Sequence, residues 1–133
     1  MINQIKIFKD HSNLMKYKKK IICFDLDNTL CLTIGNDYKN AKPIKKNIKF
    51  VNYLYEKEYY IKIFTARFMG RSKENINLAK KKGFKLTQNQ IKKWGLNCHE
   101  LIMGKPTYDL FVDDKAVFFN KNWPQEIKKK LSK

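Results

Sequence analysis

The sequence predicts an α/β fold, a three-layer arrangement in which a parallel sheet is covered by helices on both faces. Three observations carry this. Apolar runs of strand length alternate with segments whose apolar residues recur at helical spacing. The runs are nearly continuous rather than strictly alternating, as expected of strands buried on both faces. Three of them end in polar residues: Asp25 and Asp27, then Thr65, then Asp113 and Asp114. In parallel α/β sheets, ligands bind beyond the carboxyl ends of the strands, so these residues are expected to converge on one crevice.

The elements run in chain order. Residues 1–19 are amphipathic and basic and fit either a short strand or a helix. Residues 20–25 form the first strand. Residues 31–42 carry the turn formers Gly35, Asn36 and Asp37 between apolar arms, which predicts a small hairpin or flap. Pro43 suits the opening of a helix, and Ile44, Ile48, Val51, Leu54 and Tyr55 form one apolar stripe after it. Residues 59–65 form the second strand. Residues 72–82 read as a helix stopped by Gly83. Thr87 with Gln90 reads as a capping box that opens a short helix through Trp94, stopped by Gly95. Residues 100–103 and 108–112 are two more strands, and residues 125–131 a terminal helix. The chain is read as one domain, 1–133, with 31–42 as the flap; 133 residues leave no room for a second core.

Composition narrows the class. No apolar stretch approaches the ~18 residues of a membrane span, so no membrane partner is expected. The first twenty residues are charged throughout and show no secretory pattern. Three cysteines without a C-x-x-C pair point to a reducing, cytoplasmic setting. Cys98-His99 lacks the further ligands that tetrahedral zinc needs. Cys23 reads as a strand core residue. The formal charge of +17 attracts phosphorylated molecules in general. Its lysines are scattered, and arginine, the residue of bidentate phosphate forks, occurs only at 67 and 71. A solvated basic surface is therefore favoured over a dedicated nucleic-acid face. The two tryptophans and Tyr53, Tyr55, Tyr59 and Tyr60 read as core and helix faces rather than a base-stacking platform.

Two carboxylates on one side of a strand end repel each other and resist desolvation, so a cation is expected between them. Mg²⁺ with a phosphate ester fits that chemistry. Asp25-Leu26-Asp27-Asn28-Thr29 resembles the Asp-x-Asp-x-Thr signature of the haloacid dehalogenase (HAD) superfamily of phosphatases. Phe64-Thr65-Ala66-Arg67 looks like its second motif, Lys105 in Gly104-Lys105-Pro106 its third, and Phe111-Val112-Asp113-Asp114 its fourth. All four occur in the family's order. The stretch from Lys105 to Ala116, together with Thr65-Ala66-Arg67 and Met69-Gly70-Arg71, further resembles small phosphatases of bacterial capsule polysaccharide biosynthesis.

The resemblance implies a Rossmann-like (HAD-like) domain and a Mg²⁺-dependent phosphomonoesterase. Asp25 would be nucleophile and metal ligand. Asp27 would give its backbone carbonyl to the metal and its side chain to general acid–base work. Asp113 would complete the metal set, supported by Asp114. Thr65 would hold a phosphoryl oxygen, Lys105 would offset its charge, and Ala66 and Arg67 would contact substrate. Only 35 residues separate Thr29 from Thr65, too few for the cap domain of many relatives. A capless site is open, so either a large substrate or another subunit of a homo-oligomer would cover it. The implied substrate is a small phosphorylated metabolite, a phosphorylated sugar or nucleotide-sugar derivative. Two other readings compete: a nucleic-acid end phosphatase, favoured by the charge but not by the arginine count, and an inactive phosphatase fold used for binding.

Overall fold

A computed structural model of the chain describes residues 20–132. The reading of residues 1–19 as a strand or helix lies outside the described residues. The chain runs β1 (Ile21–Phe24), β2 (Cys31–Leu32), β3 (Lys42–Pro43), α1 (Lys45–Glu56), β4 (Tyr60–Thr65), α2 (Ile76–Trp94), β5 (Glu100–Met103) and α3 (Trp123–Leu131). The architecture is α/β. A three-stranded parallel sheet has the order β1-β4-β5, with β4 in the middle. Thr65 pairs with Met103, so β4 and β5 end together, while β1 runs parallel to them and ends at Phe24 opposite Ile63, two residues earlier. The residues after each strand are thereby delivered to one rim: Asp25 after β1, Ala66 and Arg67 after β4, Gly104 and Lys105 after β5.

The apolar stripe read in the sequence is the one that packs. Ile48, Val51 and Leu54 of α1 are buried with Phe24, Leu26 and Leu30, with Ile61 and Ile63 of β4, and with Leu101 of β5. Trp123 opens α3 and lies 5.7 Å from the Phe24 ring and 5.9 Å from Phe50, closing the core beside β1. Burial of such residues, at about 25 cal/mol per Å² of apolar surface, is the main force holding the helices to the sheet.

Several boundaries differ from the sequence reading. Pro43 does not open α1; it belongs to β3, paired with Cys31, and Ile44 is the N-cap. Its missing N–H costs little on so short an edge strand. The predicted stop at Gly83 and capping box at Thr87 are absent, because 76–94 is one continuous helix. Asn75 caps it, its side chain accepting from Leu78 N–H, and Gly95 ends it at φ +70°. Gly83 is there for space: a Cβ would stand 2.1 Å from Phe68 Cδ2.

Residues 108–112 are not a strand, and the run to Asp114 is exposed loop. The segment is apolar, but Leu110 and Val112 face solvent rather than a sheet. In the segment read as a flap, β2 and β3 form a short antiparallel pair, joined through a turn closed by Asp37 N–H on the Ile34 carbonyl and a 3₁₀ turn, Tyr38–Asn40. Cys23, expected in the core, is exposed. Among the described residues, no helix is long and apolar enough to cross a membrane.

Candidate active site

The chain leaves β1 and turns sharply. Leu26 is fully buried, and its carbonyl accepts from the N–H groups of Thr29, Leu30 and Cys31. Asn28 takes φ +64°, a left-handed conformation that asparagine tolerates. With Leu26 anchored inward, Asp25 and Asp27 both line a pocket of about 220 Å³. Gly35, Asn36 and Tyr38 of the flap, and Ala66, Arg67, Phe68, Gly70 and Arg71 after β4, complete most of its wall.

Asp25 accepts from Thr29 Oγ1 at 3.1 Å on Oδ2 and from Lys105 Nζ at 3.2 Å on Oδ1. Lys105 reaches it because Gly104 turns the chain at φ +99°, where a Cβ would also press on Ile76 at 2.9 Å. The Lys105 N–H then donates to the Thr65 carbonyl. Burial alone would lower the Lys105 pKa; the Tyr108 hydroxyl and the Asp25 carboxylate outweigh it and raise it above the usual lysine value. Lys105 is thus a fixed cation beside Asp25.

Asp27 is held more tightly. Arg67 Nε lies 2.9 Å from its Oδ2 and 3.1 Å from Oδ1, and Nη2 lies 2.9 Å from Oδ1. Thr33 Oγ1 also donates to Oδ1, and the Cys31 thiol approaches it at 3.5 Å. Oδ1 is crowded with donors, whereas among the described residues Oδ2 receives Arg67 Nε alone. Oδ2 is therefore the oxygen with room for a proton. Burial pushes the Cys31 thiol up to about 11, so it is no nucleophile at neutral pH.

Arg67, expected to contact substrate, is instead a buried brace. Its side chain has no exposed surface. Besides Asp27 it donates through Nη1 to Thr87 Oγ1 and Gln90 Oε1, and Nη2 approaches Cys31 Sγ. Gln90 Nε2 in turn donates to the carbonyls of Tyr38 and Lys39. A polar chain thus runs from Asp27 through Arg67 and Gln90 to the flap. Sequence reasoning missed Thr33, Thr87 and Gln90 in this role. Thr87 and Gln90 stand three apart, which places them on one face of a helix, and that spacing was the available signal.

Thr65 is buried at the end of β4, and its hydroxyl accepts from the Arg67 N–H at 3.1 Å, leaving its own proton to give. Ala66 lines the pocket. Asp113 and Asp114 do not join the site. Both are exposed, and Asp113 Oδ1 accepts from the Lys115 N–H within its own turn. Among the described residues, no cluster of three or more metal-ligating side chains forms. The donor chemistry at Asp25 and Asp27 is hard oxygen, suited to Mg²⁺, but the third carboxylate lies apart from it. Cys98 and His99 are also no metal site: both are buried, the thiol is raised to about 12 by burial, and the imidazole is stacked 4.6 Å from both Tyr55 and Tyr60.

No family model matches the chain, and no curated protein matches it. A solved crystal structure does: a structural-genomics target from Vibrio cholerae, at TM-score 0.70 and 25% identity, covering 84% of this chain and 98% of that one. The fold is thus one that a natural chain of similar extent adopts.

The loop after β4 is strained at Phe68, which lines the pocket, and again at Lys73 and Glu74 beyond the pocket wall. Phe68, Lys73 and Glu74 have φ of +67°, +53° and +62°. Such conformations cost about 1 kcal/mol or more each for non-glycine residues and persist where surrounding contacts fix them. Here Phe68 packs on Gly83, and Glu74 accepts from both the N–H and the hydroxyl of Thr107 at 3.0 Å.

Proposed function

We propose that the protein is a Mg²⁺-dependent phosphomonoesterase of the HAD type, acting through an aspartyl-phosphate. The observation that supports this most is the joint placement of Asp25 and Asp27 in one pocket, with Lys105 on Asp25 and Thr65 beside the same strand ends. A single Asp-x-Asp turn would explain neither the lysine, which comes from 80 residues further along, nor the pocket.

In this reading Asp25 attacks phosphorus, and the ester P–O bond breaks. Asp27 gives a proton from Oδ2 to the leaving alkoxide oxygen. Asp27 then takes a proton from water, which attacks the acyl-phosphate; phosphate leaves and Asp25 is regenerated. Thr65 Oγ1 donates to a phosphoryl oxygen, and the Lys105 ammonium offsets its charge. Asp25 and the Asp27 carbonyl are the residues here that would hold Mg²⁺, which would supply further neutralisation of the phosphoryl oxygens; Asp113, the third ligand that the resemblance implies, lies apart on its exposed loop. Arg67 keeps Asp27 oriented rather than binding substrate.

The same reading extends to a three-layer HAD-like domain without a cap. The flap between β2 and β3 is the insertion that comes after Asp27, and it covers part of the pocket. By the resemblance of residues 105–116, the substrate is a phosphorylated sugar or nucleotide-sugar derivative used in capsule or surface polysaccharide biosynthesis. The deciding experiment is a phosphate-release screen with Mg²⁺ over sugar phosphates, nucleotide-sugar derivatives and oligonucleotide 3′-phosphates. Release from sugar esters that stops in Asp25→Asn supports the reading. No release from any ester removes it, and release confined to oligonucleotide ends transfers it to nucleic acid.

A further inference from the structure

We propose that the pocket takes a phosphate ester carrying a second anionic group, a carboxylate or another phosphate, and that Arg71 binds that group. This rests on the phosphomonoesterase reading of Asp25 and Asp27.

The charges of the site lead to Arg71. Lys105 is committed to Asp25 and Arg67 to Asp27, each as an ion pair. The five N–H groups of Arg67 are shared among Asp27, Cys31, Thr87 and Gln90, so it has none to offer a ligand. Arg71 also lines the pocket, is exposed, and has no carboxylate partner among the described residues. It is the surplus cation of the lining.

Its guanidinium is nonetheless fixed. Nη2 donates to the Asn36 carbonyl at 3.0 Å, and the carbon Cζ lies 4.7 Å from the Phe68 ring and 5.5 Å from the Tyr38 ring. Arginine packed on aromatic faces loses little further freedom when it binds a carboxylate or phosphate through its fork. The other supports are themselves anchored. Gln90 ties Tyr38 to α2, and Phe68 packs on Gly83. Four of Arg71's five N–H groups have no acceptor among the described residues. A preorganised, unpaired guanidinium at a pocket wall is an anion site.

Size agrees. A volume near 220 Å³ holds the equivalent of roughly seven waters. A phosphoryl group fills only part of that, leaving space for the rest of a small metabolite between the aspartates and Arg71.

The test measures kcat/KM for glucose 6-phosphate, 6-phosphogluconate and glucose 1,6-bisphosphate, in the wild type and in Arg71→Met. We expect the wild type to prefer at least one of the doubly anionic esters by about tenfold or more, and Arg71→Met to bring that ratio close to one, mainly through KM. The gluconate and bisphosphate arms separate a carboxylate from a second phosphate. No preference in the wild type overturns the proposal. So does an equal loss on all three esters in Arg71→Met, which would put Arg71 on the reacting phosphoryl instead. If none of the esters is hydrolysed, calorimetry on Asp25→Asn, with and without Arg71→Met, separates the two failures. Tighter binding of the doubly anionic esters that needs Arg71 supports the anion site while the phosphatase reading falls; equal binding of all three removes the anion site as well.

Discussion

Arg67 grips Asp27 along one edge, with Nε 2.9 Å from Oδ2 and Nη2 2.9 Å from Oδ1. The residues are forty apart in sequence and come from the ends of neighbouring strands. The arginine is wholly buried, whereas the aspartate keeps 20% of its side chain exposed to the pocket. A charge-assisted fork of this kind fixes both the position and the plane of the carboxylate.

Arg67→Lys keeps the charge but loses the fork, since an ammonium cannot span both oxygens. Turnover is expected to fall by about tenfold to a hundredfold, with KM changing much less, as for a misplaced proton carrier. Arg67→Met should also cost stability, by roughly 2 kcal/mol; this is less than the ~3–5 kcal/mol of a fully buried pair, because Asp27 keeps water contact. Steady-state kinetics and denaturant unfolding check the two parts. Unchanged kcat in Arg67→Lys would remove the positioning role.

Asp25→Asn is expected to abolish phosphate release, because an amide cannot form the acyl-phosphate. Asp27→Asn should lower turnover by about 10²-fold or more through loss of proton transfer. Activity should disappear in EDTA and return on adding Mg²⁺. Colorimetric phosphate assays suffice, and activity that survives EDTA would rule out the metal requirement.

Gly83→Ala separates two effects of opposite sign. Alanine favours a helix interior by about 1 kcal/mol over glycine. The new methyl would meet the Phe68 ring at 2.1 and 2.5 Å, and overpacking of that kind costs about 1–3 kcal/mol. Phe68 carries the pocket loop and supports Arg71. A lower Tm and a higher KM are expected, whereas a rise in Tm would show that the loop yields freely.

His99 gives the fold a pH dependence. Burial lowers its pKa from 6.5 to about 4, and its Nδ1 accepts the Ile61 N–H at 3.0 Å. The unfolded chain therefore binds this proton more readily than the folded one. Its contribution is complete above ~6.5 and declines as pH falls toward about 4, by roughly 3 kcal/mol at full extent. His99→Asn can preserve the acceptor without the titration. Urea midpoints at pH 7 and pH 4.5 should differ less in that variant than in the wild type, and equal differences would exclude His99 as the cause.

Much of the fold was legible because it depends on local pattern. The stripe Ile48, Val51 and Leu54 has helical period and becomes the buried face of α1. The strand before Asp25 and the strand before Thr65 are visible as apolar runs that end in polar residues. The same rules misplace Gly83, which looks like a helix stop but is a contact surface for a distant phenylalanine. They also misread residues 108–112: an apolar run shows that a segment could pair, not that it does, and this one stays exposed although β1 and β5 are edge strands of the described sheet.

By itself the sequence determined which residue types end the strands, and thus that carboxylates, a hydroxyl and a lysine were available for chemistry at one rim. Only the tertiary structure decided their partners. It put Lys105 on Asp25, turned Arg67 from a substrate contact into the brace of Asp27, left Asp113 on an exposed loop, and kept Arg71 without a counter-ion among the described residues. The physical reason is that side-chain pairing depends on distances set by strand register and helix packing between residues tens of positions apart. Periodicity along the chain carries no record of those distances.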